Sequence, residues 1–254
     1  MLIVMLPAYN EAESMGPLLE GLAEAFGTLD VQASVLVVDD GSSDGTADRA
    51  RETARALGLA LEVEVHETNK GLGEALKTGF TRANEMLGGS GVLVAMDADN
   101  THDPSTIASM LEKLGEGNDV VIASRYAPGG REVGLSRMRS FLSKGASTTM
   151  RIFLPVRGAR DYSCGYRAYA GKALARAFEV YGDRLIEERG FVASAEVLVK
   201  MAYLPSRVAE VPLVLRYDKK GGASKMNITK TIARYVRLIS AGRRAIAARS
   251  GGRT

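Results

Sequence analysis

Apolar positions in this chain fall into short runs separated by amphipathic stretches. The runs Leu2–Leu6, Ser34–Val38, Leu61–His66, Gly91–Met96 and Asp119–Ala123 are rich in aliphatic and β-branched residues and bounded by turn formers, which predicts strands. Between them, Glu11–Phe26, Asp44–Leu57, Gly73–Leu87 and Pro104–Leu114 repeat their apolar residues at helical spacing. Strict alternation of this kind predicts an α/β fold, a mostly parallel Rossmann-like sheet with helices on both faces. Right-handed crossovers make that a single doubly wound layer. Past Ser124 the pattern changes. The Gly- and Arg-rich segment Arg125–Gly134 is too polar for core and reads as a functional loop. It is followed by a predicted helix at Met138–Phe153, a mixed region at Asp161–Tyr169, a helix at Val192–Tyr203, a strand at Val211–Tyr217 and a last helix at about Ile228–Ala248.

Composition narrows the class. With 254 residues, 46% of them hydrophobic and 25% charged, the chain buries an ordinary globular core. A single cysteine, Cys164, excludes an internal disulfide framework. No run of about 18 apolar residues exists, so no transmembrane helix is predicted, and a cytoplasmic location is expected. Net charge is only +3, yet from Met226 to Thr254 seven basic residues occur without an acidic one. On the last helix Ile228, Ile232, Tyr235, Val236 and Ile239 share one side, while Lys230, Arg234, Arg237 and Arg244 fall largely on another. Such a helix suits either the surface of an anionic membrane leaflet or packing on its own domain with the cations in solvent. The division expected is a catalytic domain over residues 1–225 and a basic amphipathic helix and tail over residues 226–254. No nucleic-acid partner is expected.

Three predicted strands end in polar residues: Pro7-Ala8-Tyr9-Asn10-Glu11 after the first, Asp39-Asp40-Gly41-Ser42 after the second, and Asp97-Ala98-Asp99 after the fourth. In a parallel sheet these ends share one rim, where open α/β sheets bind ligands. Two carboxylates flanking a small residue suit Mg2+ or Mn2+, ions commonly held by one or two carboxylates together with substrate phosphates. A dinucleotide or P-loop enzyme is excluded. The first turn lacks Gly-x-Gly-x-x-Gly, Gly71-Leu72-Gly73 has Leu76 where the third glycine belongs, and no Gly-Lys-Ser/Thr loop occurs.

Taken together with Asn69-Lys70-Gly71-Leu72-Gly73-Glu74-Ala75, Ser124-Arg125-Tyr126, Ser143-Lys144-Gly145-Ala146, Asp161-Tyr162-Ser163-Cys164-Gly165-Tyr166-Arg167 and Gly222-Ala223-Ser224-Lys225, these segments resemble the family-2 inverting glycosyltransferases. Within them the likeness is to the polyprenol-phosphate (dolichol-phosphate) mannosyl and glucosyl transferases. The resemblance implies the glycosyltransferase A fold, a nucleotide-diphospho-sugar donor carrying GDP or UDP, and Mg2+ or Mn2+. It puts Pro7, Tyr9 and Glu11 around base and ribose, Asp39 on the base, Asp97 near ribose and metal, and Asp99 on the metal. Thr101 stands where many lipid-phosphate transferases have Gln, with a hydroxyl that reaches the ion directly or through water. Arg125, Arg131, Arg139 and Lys219 are the cations expected to meet diphosphate and acceptor phosphate, since a leaving nucleoside diphosphate gains negative charge as C1–O breaks.

An absence separates acceptors. Transfer to a hydroxyl needs a general base, often from a Glu-Asp pair that is missing at Phe191-Val192-Ala193-Ser194-Ala195-Glu196. A phosphate monoester is largely ionised at neutral pH and needs none. The expected function is therefore inverting transfer of a hexose to polyprenyl monophosphate at the cytoplasmic membrane surface. Two alternatives stay open: transfer to a glycan or glycolipid hydroxyl with Glu196 or Asp161 as base, and a non-catalytic nucleotide-sugar binding module. His102 and Cys164 read as a loop residue and a small buried side chain.

Overall fold

The computed structural model describes residues 1–134, 137–219 and 231–240, apart from the side chains of Arg137, Arg139 and Lys219. Strands β1 (Leu2–Ala8), β2 (Ala33–Asp39), β3 (Leu61–Val65), β4 (Val92–Ala95), β5 (Val120–Ser124), β7 (Arg167–Ala170) and β8 (Val208–Pro212) form one seven-stranded sheet in the order β3-β2-β1-β4-β7-β5-β8. All neighbours are parallel except β7, which lies antiparallel between β4 and β5. The short strands β6 (Arg131–Val133) and β9 (Val214–Arg216) pair in parallel as a second sheet. The helices are α1 (Ala12–Gly27), α2 (Thr46–Leu57), α3 (Leu72–Leu87), α4 (Thr106–Gly115), α5 (Arg137–Phe153), α6 (Gly171–Tyr181) and α7 (Val192–Ala202), followed by helical residues 231–240.

Strands β1, β2, β4 and β5 are nearly continuous apolar runs because both faces of the sheet are covered there, and successive side chains go to opposite cores. Ile3, Met5, Leu36, Val38 and Leu93 pack with Phe80 of α3, Leu174 of α6 and Leu198 of α7. Leu2, Val4, Leu6, Val35, Val37 and Val94 pack with Leu18 and Leu22 of α1, Ala50 of α2 and Ile107 of α4. This parity later decides which rim residues face the site.

Two expectations change. The run Val211–Tyr217 is not one strand. Pro212 closes β8 at the sheet edge, where a residue without an N–H is tolerated. Leu213 then donates to Ser124 O (2.9 Å) and accepts from Arg131 N–H (2.9 Å), and so carries the chain from the large sheet to the small one. The loop Arg125–Gly134 likewise contains β6. In the terminal helical residues, Tyr235 and Leu238 enter the α3/α7 core while Ile232 and Val236 are exposed. Residues 220–230 and 241–254, with the Gly222–Lys225 motif and Lys230 and Arg244, lie outside the described residues. Among the described residues no helix is long and apolar enough to cross a membrane.

Candidate active site

Parallel neighbours β2, β1 and β4 bring their carboxyl ends to one rim. The turns beyond them line a cleft of about 360 Å³ with Pro7, Tyr9, Glu11, Asp40, Asp97 and Asp99. Its other walls are Asn69 and Gly71 before α3, Gly190 and Phe191 before α7, and Arg234 from the terminal helix. Arg234 donates to Arg189 O, so the basic helix closes this wall. Gly73 in the first turn of α3 has no room for a Cβ against the Glu188–Arg189 backbone, and the two walls meet there.

Local conformation turns each strand sharply after its site residue. Among the described residues only Asn10 (φ 52°) and Asn100 (φ 57°) are non-glycine positions of positive φ. One follows Tyr9 and the other Asp99, and asparagine tolerates the left-handed region better than most side chains. The first two turns are laced together. Asn10 N–H donates to Ser42 Oγ (2.9 Å), Ser43 N–H to Asn10 Oδ1 (2.9 Å), and Glu11 N–H to Thr46 Oγ1 (2.9 Å). Asp44 accepts from Ala12 N–H and from Thr46, bonds that hold its carboxyl below the usual range although burial opposes them.

Strand parity separates the two adjacent aspartates. Asp39 continues the Val35/Val37 face, is buried, accepts Ser42 N–H at 2.9 Å and is not among the cleft residues. Asp40 continues the Leu36/Val38 face and borders the cleft, as do Pro7 and Asp97, which share the parity of Met5 and Ala95. The family resemblance puts Asp39 on the base, whereas the side chain that borders the cleft is Asp40. Counting alternate positions from Val38 is the signal that finds it.

Asp97 and Asp99 are held differently. The Asp97 side chain is 41% exposed, and its N–H donates to Nδ1 of buried His102 (3.2 Å). With Nδ1 accepting, the neutral ring carries its proton on Nε2, 3.9 Å from Asp97 Oδ2. His102 stacks on Tyr166, centroids 4.9 Å apart, and Tyr166 donates to Asp103 O (3.1 Å). The histidine is thus a support for the carboxylate turn. Asp99 is buried, and its Oδ1 accepts from both Thr101 Oγ1–H (2.6 Å) and Thr101 N–H (3.2 Å). The Thr101 hydroxyl proton is therefore directed at Asp99. No cluster of three or more His, Cys, Asp or Glu able to hold a metal occurs among the described residues. Two hard carboxylates on an open cleft fit a cation such as Mg2+ or Mn2+ that takes its remaining ligands from water and phosphate.

Of the predicted cations with described side chains, Arg125 and Arg131 are not among the residues that line the cleft. Arg125 is buried and spent on protein partners: Nε and Nη2 fork onto Asp161 (2.8 and 2.7 Å), Nη1 reaches Glu132 (3.1 Å) and Nη2 reaches Ser163 (2.6 Å). Burial alone would push the Asp161 carboxyl up. The charge and hydrogen bonds of Arg125 outweigh it and hold the group below its ordinary value. Arg131 is exposed on β6. Arg139 lies on α5 and Lys219 in the turn after β9, and their side chains are outside the described set. Glu196 is buried as well. Its Oε2 accepts Glu187 N–H (2.9 Å) and Glu188 N–H (2.7 Å), and its Oε1 pairs with Lys200 (2.7 Å). Burial, then Asp161, push the Cys164 thiol up to about 12, which leaves it inert.

A family model for glycosyl transferase family 2 matches residues 3–178. The polyprenol monophosphomannose synthase of Mycolicibacterium smegmatis is 36% identical over 226 residues, which cover 89% of this chain and 80% of that protein. The undecaprenyl-phosphate mannosyltransferase of Micrococcus luteus is 36% identical over 225 residues, 89% of this chain and 87% of that one. Among solved structures, glucosyl-3-phosphoglycerate synthase from Mycobacterium tuberculosis, in complex with Mn2+, uridine diphosphate and phosphoglyceric acid, shares the fold. It aligns with a TM-score of 0.64 at 20% identity, over 94% of this chain and 76% of that one.

Proposed function

Since the chain belongs to glycosyl transferase family 2 and is a glycosyltransferase, we propose that it moves a hexose of the mannose class from a nucleotide-diphospho-sugar to a polyprenyl monophosphate, with inversion at C1. The observation that carries this reading is the state of the two carboxylates offered as bases for a hydroxyl acceptor. Asp161 is locked on Arg125 and Glu196 on Lys200 and two backbone N–H groups. A phosphate acceptor needs neither. The names of the two mannosyltransferase relatives point the same way.

In the proposed reaction an acceptor phosphate oxygen attacks C1 as the bond from C1 to the diphosphate oxygen breaks, and the bonding pair leaves with the nucleoside diphosphate. No proton has to be removed from the ionised acceptor. Pro7, Tyr9, Glu11 and Asp40 border the donor base and ribose. Asp99, with Asp97, would hold a divalent cation, which when bound supplies positive charge against the diphosphate. Thr101 serves that cation by fixing Asp99. Arg131, Arg139 and Lys219 meet the phosphates, and Arg125 acts by holding the loop that leads to them. Residues 1–225 form the catalytic unit, with 226–254 as its basic terminal segment.

Membrane-surface contact is part of the proposal. Helix α5 exposes Met138, Phe141, Ile152 and Phe153, with Phe141 and Ile152 three turns apart on one side and Lys144 and Arg151 also exposed. The test is a donor screen with labelled GDP-mannose and UDP-glucose, short polyprenyl phosphate and Mg2+ or Mn2+. Label in a lipid phosphodiester is the expected result. Label only in a water-soluble glycan would overturn the acceptor.

A further inference from the structure

Behind Asp40 lies a buried chain of polar groups that the transfer chemistry does not use. His66 follows β3 and extends its pairing, donating N–H to Asp39 O (2.9 Å). Its buried ring bridges two elements, with Nδ1 2.7 Å from Asp40 Oδ1 and Nε2 2.9 Å from Thr78 Oγ1 on α3. An ionised carboxylate only accepts, so Nδ1 carries the proton, and Nε2 of the neutral ring accepts the Thr78 hydroxyl. Asp40 Oδ1 also takes Lys70 N–H (2.9 Å), and Oδ2 takes Gly71 N–H (2.7 Å). Lys70 and Gly71 lead into α3, and Gly71 is itself a wall of the cleft.

A carboxylate offers about four lone-pair directions, and these three donors leave one on Oδ2. The group is buried yet borders the cleft beside Tyr9. An aspartate with a single restrained oxygen direction recognises one kind of neighbour, a hydrogen-bond donor, and refuses an acceptor. Without the imidazole, two backbone donors alone would hold it, and it would turn about its side-chain torsion.

We propose that His66, kept in the Nδ1–H form by Thr78, is a positioning residue for the donor's base: it fixes Asp40 so that the remaining Oδ2 lone pair accepts a ring N–H. Guanine and uracil present such a group; adenine and cytosine present an acceptor there. The proposal rests on the cleft being the donor site. It adds that base choice is made by a relay one shell removed from the ligand, and that α3 registers the choice through Thr78.

The experiment measures binding of GDP, UDP, ADP and CDP to the full chain with Mg2+ by calorimetry, alongside thermal melts and steady-state kinetics. Wild type is expected to bind GDP or UDP at least about tenfold more tightly than ADP and CDP, the worth of one buried hydrogen bond to a charged group. His66→Phe should lose about tenfold in affinity for the preferred nucleotide and most of the discrimination. Its donor KM should rise while kcat at saturating donor holds. Thr78→Val guards against a misfolded His66 variant: it should weaken binding several-fold, and Thr78→Ser should restore it. In the wild type, the nitrogen NMR spectrum should show His66 Nε2 unprotonated. Wild-type affinity and KM in folded His66→Phe and in Thr78→Val, or a proton on Nε2, would overturn the relay. Failure of wild type to bind any of the four nucleotides would instead overturn the donor reading of the cleft.

Discussion

Asp97 and Asp99 stand at the end of β4, and Arg125 with its partner Asp161 stands past β5, with only β7 between the two strands. Both places gather charge at the end of a strand, yet they use it in opposite ways. At β4 like charges lie near one another, and one side chain remains 41% exposed. They are steadied by His102 and Thr101, and both border the cleft. At β5 opposite charges meet in a bidentate fork with Asp161 fully buried, and the charge is consumed. Ionic residues at a rim therefore mark a site where they border a cleft, as Asp97 and Asp99 do and Arg125 and Asp161 do not.

The largest expected effect comes from breaking the consumed pair. Asp161→Ala leaves a buried guanidinium with Glu132 as its remaining carboxylate, and breaking a buried pair in this way costs about 3–5 kcal/mol. Denaturant unfolding should show that loss, whereas the double variant Arg125→Met/Asp161→Leu should recover much of it. If Asp161→Ala kept its stability and lost only activity, the two regions would not differ in kind.

Asp99→Asn is the converse. It should cost transfer about a hundred- to thousandfold, from the several kcal/mol that a metal-held charge contributes. Its melting temperature should stay close to wild type, since the amide oxygen can still accept the two Thr101 hydrogen bonds. A large fall in stability with activity retained would reassign Asp99 to the same class as Asp161.

Thr101→Val tests how the cleft pair is steadied. It deletes the 2.6 Å hydroxyl bond to Asp99 and keeps the shape. A hydrogen bond to a charged group is worth about 1.5–3 kcal/mol. The half-saturating Mn2+ concentration for activity should shift several-fold, with kcat at saturating metal nearly unchanged. An unaltered metal requirement would mean that Asp99 needs no such support.

The contrast also explains what the chain's pattern conveyed. Apolar runs and helical spacing located β1 to β5 and α1 to α4, because buried parallel strands show themselves by composition alone. Pro7, Tyr9, Glu11, Asp97 and Asp99 were readable as rim residues by position after those strands, and all five border the cleft. Strand β7 was not readable, because it opens on Arg167, a wholly buried guanidinium that donates to Tyr162 O (2.9 Å) and Ser194 O. Choosing Asp40 over Asp39 required the register of β2, and Arg125 misled because no local pattern announces a partner 36 residues away.

The finest distinction concerns pH, and Asp161 provides it. Its folded-state carboxyl is held below the ordinary value, chiefly by Arg125 acting against burial. A depressed carboxylate contributes stability that is present above its unfolded pKa of about 3.9 and is lost as pH falls through the folded value. The stability difference between wild type and Asp161→Asn should therefore be constant from about pH 8 to about pH 5 and shrink only below about pH 4. Denaturant midpoints across that range measure it. A difference that already narrowed between pH 7 and pH 5 would mean that the Arg125 fork does not hold the carboxyl down.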